Sequence, residues 1–126
     1  MSTNTSDTVR DYKDLLVWQK AMVLAEQIYR ITSRYPAEEK FGLVAQMRRA
    51  AISIPSNIAE GQARRTTGEF VQFLSHAEGS LAELDTQLSL GIILGFVTES
   101  QVAASQTLVS ELRKMLNALR RSLRTK

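Results

Sequence analysis

Apolar residues recur every three or four positions in four separate stretches of this chain, the spacing that gives a helix one dry face. In the first, Leu15, Trp18, Met22, Ala25 and Tyr29 keep a 3-4-3-4 rhythm, broadened by Ile28, while Lys20, Glu26 and Arg30 fall on the wet side. This helix is predicted to begin between Asp14 and Val17. It should end at Tyr35-Pro36, because a residue before proline is pushed out of the α region. The second helix is predicted from about Glu38 to Glu60, with Phe41, Val44, Met47, Ala51, Ile54 and Ile58 as its stripe. Pro55 removes a backbone donor inside that stripe, but the periodicity resumes beyond it, which predicts a kink near Ala51–Pro55 rather than a break. Gly61 is expected to supply the left-handed residue that stops the helix.

Thr66-Thr-Gly-Glu69 has the form of a capping box for a third helix, in which Phe70, Leu74, Ala77, Leu81, Leu84, Leu88 and Ile92 repeat until Gly95. Thr98-Glu-Ser-Gln101 opens a fourth, whose stripe is Val102, Val109, Leu112, Leu116, Leu119 and Leu123. Helices two to four should each be about 35–42 Å long at roughly 1.5 Å per residue. Four long helices joined by short connections, with no strand-like alternation, predict an all-α, antiparallel up-down-up-down four-helix bundle over residues 12–126. Residues 1–11 read as a polar, disordered tail. The apolar stripes are wider than a monomeric bundle needs: Leu108 and Met115 flank one, and Leu90, Ile93 and Leu94 sit beside another. That surplus predicts self-association.

Charge changes the picture next. Residues 66–110 hold five carboxylates and no Lys or Arg, whereas residues 111–126 hold six basic residues against one acid, within a net charge of +3. An acidic helix lying between basic neighbours explains most of this segregation; the alternative is a polyanion-binding surface. The basic candidates for nucleic acid are Arg64, Arg65, Arg113, Lys114, Arg120, Arg121, Arg124 and Lys126. With no aromatics interleaved among them, they fit backbone-directed electrostatic binding better than base stacking. The polar run of helix two is read first as structural. Arg48 or Arg49 should pair with a carboxylate of the returning helix (Glu78, Glu83 or Asp85), and Asn57, near Glu60, should satisfy backbone groups freed by Pro55. The alternative is that Arg48 or Arg49 faces outward to bind an anion, and because adjacent helical residues point about 100° apart one of each is possible.

Catalytic chemistry finds no foothold. There is no cysteine, so neither disulfide nor thiolate, and the single histidine, His76, lacks the Glu-x-x-His context of a di-iron bundle. No Gly-x-Ser-x-Gly elbow or phosphate-binding glycine loop occurs. The reading is a non-enzyme without metal or cofactor. The polar N-terminus has no apolar signal core and no run approaches a membrane span, so the expected setting is the cytoplasm, away from membranes.

The run Leu43-x-x-Gln46-x-Arg48-Arg49-Ala50-x-x-Ser53-Ile54-x-x-Asn57-Ile58-Ala59-Glu60-Gly61 strongly resembles the bacterial four helix bundle protein family, which includes proteins encoded in intervening sequences of 23S ribosomal RNA genes. Leu16-Val-Trp18-Gln19-Lys20-Ala21, Tyr35-Pro36 and Gly79-Ser80-Leu81-x-Glu83-Leu84 add to it, so the likeness extends from Asp11 to Gly95. The resemblance implies a ring-like, pentameric homo-oligomer without enzymatic activity. A related branch, the accessory protein of diversity-generating retroelements, is a basic pentamer that binds nucleic acid and a reverse transcriptase. The expectation is therefore a nucleic-acid-associated accessory protein that binds RNA or DNA. The alternative is a scaffold for a protein partner, such as a reverse transcriptase.

Overall fold

A computed structural model describes residues 11–124. The expected tail therefore lies outside the described residues except for Asp11, which caps a short 3-10 turn at Tyr12–Asp14. Four helices follow: α1 (Leu16–Thr32), α2 (Leu43–Gln62), α3 (Thr67–Ile93) and α4 (Glu99–Arg124). Each packs against two others, α1 on α2 and α4, and α3 on α2 and α4, which closes a four-helix bundle around one core. Contacts advance in opposite directions along adjacent helices. Glu78 meets Arg120 where Asp85 meets Arg113, and Lys20 meets Glu111 where Gln27 meets Ser105.

The ends are set largely by local chemistry. Thr66 caps α3, its hydroxyl accepting from the Glu69 amide at 3.1 Å. Gly95, at φ 80°, ends α3 in a Schellman motif, with the Phe96 amide donating to the Gly91 carbonyl and the Gly95 amide to that of Ile92. Thr98 and Gln101 exchange bonds as the predicted capping box of α4.

Three expectations change. In α1 the buried line is Val17, Ala21, Leu24, Ala25 and Ile28, while Met22 and Tyr29 are 45% and 40% exposed. The predicted stripe lies about a quarter turn away, at roughly 100° per residue, because α1 is apolar over two adjoining faces. Packing against both α2 and α4 selects the face carrying Ala21. Second, α2 begins at Leu43, not near Glu38. After Pro36 the chain makes a 3-10 turn, and Gly42 takes a non-helical conformation that leaves Phe41 89% exposed. Third, Gly61 does not stop α2. It is buried inside the helix, which runs on through Pro55 to Gln62, and its φ is not positive.

Gly61 serves packing instead. A Cβ there would sit 2.8 Å from Phe70 Cδ1 and 2.8 Å from Phe73 Cβ. Its missing side chain is what lets the first turns of α3 press onto the end of α2.

Candidate nucleic-acid interface

The arginines divide into those the bundle consumes and those it leaves free. Arg120 donates to Glu78 from Nε at 3.0 Å and from Nη2 at 3.4 Å, and Nη2 also reaches Asn117 Oδ1 at 2.9 Å. Arg113 pairs with Asp85 at 3.1 Å on the same α3–α4 seam. Two of the eight basic candidates thus neutralise the acidic helix. Lys114 is exposed, and Lys126 lies outside the described residues.

The polar run of α2 is wired differently from the sequence expectation. Arg48 turns to α1, not to a carboxylate of α3. Its Nε donates to Thr32 Oγ1 at 3.0 Å and its Nη2 to the Tyr29 carbonyl at 3.2 Å, with the guanidinium 4.5 Å over the Tyr29 ring. It thereby covers the carbonyl end of α1, where positive charge is favoured. Neither arginine is buried: Arg48 is half-buried and Arg49 exposed. Asn57 Nδ2 donates to the carbonyl and hydroxyl of Ser53, at 2.8 and 2.9 Å, and Ser53 Oγ lies 2.7 Å from Ser80 Oγ. The carbonyl that Pro55 frees belongs to Ala51, so Asn57 joins α2 to α3 through Ser53 rather than repairing the proline. Glu60 is exposed, and Glu83 accepts a long bond of 3.4 Å from Gln87.

The antiparallel pairing brings the C-terminus of α2, the N-terminus of α3 and the C-terminus of α4 to one end of the bundle. Arg64, Arg65, Arg121 and Arg124 all belong to that end, all exposed, and none has a carboxylate partner among the described residues. Asp11, Asp14, Glu60 and Glu69 are the acids there. Asp11 and Asp14 cap the 3-10 turn, and Glu69 accepts from Thr66.

Sequence reasoning missed a further feature of this end. The Arg64 guanidinium lies 4.7 Å from the centre of the Phe73 ring, and Phe73 lies 6.0 Å from His76 at an interplanar angle of 40°. Phe73 is half-buried and His76 exposed. The i, i+3 spacing of Phe73 and His76, about two turns into the helix that follows an Arg-Arg loop, was the available signal.

Elsewhere, Tyr12, Trp18, Met22, Ile52, Pro55 and Ala59 line an open, mostly apolar groove of about 360 Å³ between α1 and α2. Leu90, Ile93 and Leu94 are exposed near the far end of α3, at 42%, 78% and 52%. Among the described residues no three His, Asp or Glu side chains gather as a metal site, and no helix is long and apolar enough to cross a membrane.

Comparison with known proteins adds two findings. A family model described as 23S rRNA-intervening sequence protein matches residues 13–118. A crystal structure of a protein of unknown function from the S23 ribosomal protein family of Bacteroides thetaiotaomicron VPI-5482 has the same fold. Its TM-score is 0.74 at 23% identity, over 82% of this chain and 97% of that one. No curated protein matches the chain.

Proposed function

The chain belongs to the 23S rRNA-intervening sequence protein family, and from that premise we propose that it is a non-enzymatic, homo-oligomeric accessory protein that binds RNA or DNA through the phosphate backbone. The observation that carries the reading is the gathering of Arg64, Arg65, Arg121 and Arg124 at one end without carboxylate partners among the described residues. Unpaired guanidiniums recognise phosphate oxygens through forked N–H donors and need no particular base sequence. Assembly into a ring, with five copies as the expected number, would place several such ends near one another and multiply their field. The exposed Leu90, Ile93 and Leu94 supply apolar surface for that assembly. A cytoplasmic setting goes with this reading.

Fluorescence anisotropy against mixed-sequence RNA and DNA over a range of salt tests it, with light scattering to count copies. The logarithm of affinity should fall linearly with the logarithm of salt, by about 0.7–0.9 per phosphate neutralised. Arg64→Ala/Arg65→Ala and Arg121→Ala/Arg124→Ala should each flatten that slope, and Arg113→Ala should leave it unchanged. Absence of binding at the lowest salt would refute the reading. A protein-binding scaffold is the second reading, favoured by the apolar groove between α1 and α2. It requires a partner, a reverse transcriptase for example, whose affinity is insensitive to salt and falls on Met22→Asp or Ile52→Asp.

A further inference from the structure

We propose that the cluster of Arg64, Phe73 and His76 is a base-stacking site, which makes unpaired single strands, not duplexes, the favoured ligand of this end. The inference rests on the nucleic-acid reading above and narrows its substrate class. Three planar groups follow one another at the corner between α2 and α3: a guanidinium 4.7 Å from a phenyl centre, and that phenyl 6.0 Å from an imidazole. Both outer members are exposed, so a further flat ring can reach them from solvent. Guanidinium planes and aromatic rings are the surfaces that receive splayed-out bases, and stacking tolerates any base because every base has a π-face.

The corner is also preorganised. Phe73 is half-buried, and its Cβ lies where a Cβ on Gly61 would come within 2.8 Å, so the base of the side chain is packed against the end of α2. A rigid aromatic gives up little entropy when a base docks beside it. Arg65 follows Arg64 directly and has no carboxylate partner among the described residues. Base and phosphate contacts therefore sit side by side, as a single strand presents them. Duplex nucleic acid keeps its base faces inside the helix and can use only the arginines. Glu60 and Glu69 are the nearby acids, and the Thr66 hydroxyl donates to Glu69.

The test is anisotropy at one fixed, low salt with three labelled probes of equal length: oligothymidylate, an oligomer of abasic sites with the same backbone, and a duplex. Oligothymidylate should bind at least about fivefold more tightly than the abasic oligomer, the lower end of what one stacked base contributes. Phe73→Leu and His76→Ala should each lower oligothymidylate binding by a larger factor than abasic binding, eroding that preference, whereas Arg64→Ala should weaken both. His76 is exposed, so its variant keeps the fold; circular dichroism checks the Phe73 variant. Equal binding of all three probes, or a preference that survives both Phe73→Leu and His76→Ala, overturns the stacking site while the electrostatic reading stands. Failure of every probe to bind overturns both.

Discussion

Two glycine-to-alanine substitutions in helical positions should change stability in opposite directions. Gly79 lies in α3, exposed, with nothing within 4 Å of the position a Cβ would take. Alanine there relieves the backbone entropy cost of glycine and should stabilise the fold by about 0.5–1 kcal/mol. Gly61 gains the same propensity term, but its new Cβ would meet Phe70 Cδ1 and Phe73 Cβ at 2.8 Å. The Phe73 Cβ is anchored to the α3 backbone and cannot swing aside, so the start of α3 must shift. Overpacking of this kind costs about 1–3 kcal/mol, so the net effect is a loss of up to roughly 2.5 kcal/mol. For a domain of this size each 1 kcal/mol moves Tm by about 3–5 °C. Urea and thermal denaturation followed by circular dichroism, at one fixed protein concentration because self-association would add to apparent stability, should rank Gly79→Ala above wild type and Gly61→Ala below it. If Gly61→Ala is as stable as Gly79→Ala, close helix approach is not why a glycine sits there. The displaced Phe73 should also cost Gly61→Ala its preference for oligothymidylate, a loss Gly79→Ala should not share.

Other expectations follow from individual contacts. Arg120→Ala should destabilise by about 1–2 kcal/mol, because Glu78 and Asn117 lose their charged partner in a site only 19–24% exposed, whereas Arg113→Ala, on a seam about half exposed, should stay within about 0.5 kcal/mol in urea titrations. Arg48→Met keeps the aliphatic stem but removes the donors to Thr32 and Tyr29. It should cost about 1–2 kcal/mol, with earlier exchange of the last α1 amides in hydrogen-exchange measurements. Tyr35 Oη is buried and has no hydrogen-bond partner among the described residues, and burial raises its pKa. The unfolded chain then releases this proton first, so the contribution is intact below about pH 10 and is lost as pH rises through the higher folded pKa. Tyr35→Phe should be close to neutral in stability at pH 7 and should reduce the alkaline loss measured by thermal scans between pH 9 and about 11.

How much of this was legible in the sequence depends on the range of the interaction. The caps at Thr66 and Thr98 and the glycine stop at Gly95 are local, and the sequence pattern located them. The face of α1 was not local: with apolar residues on two adjoining sides, periodicity alone could not decide which side meets α2 and α4. Gly61 was ambiguous because a helix stop and a close helix contact both select glycine, and only the position of Phe70 and Phe73 separates them. The fate of the basic residues depended on register, yet part of it was readable. Glu78 and Asp85 are seven residues apart, as are Arg113 and Arg120, and antiparallel neighbours with equal spacing match in pairs. Removing those pairs from the candidates leaves the arginines at one end of the bundle. The cluster around Phe73 was hidden for the opposite reason, since a half-buried phenylalanine beside a core stripe looks like core until its neighbours are known. Two arginines absorbed by the acidic helix hold α3 against α4, and four unabsorbed ones share an end with an aromatic cluster. Charge at that end does not stabilise the bundle through any ion pair among the described residues, and repulsion between like charges costs stability. A ligand rich in phosphate would relieve that cost, which is why the functional reading rests on this end and not on Arg113 and Arg120, which the acidic helix neutralises.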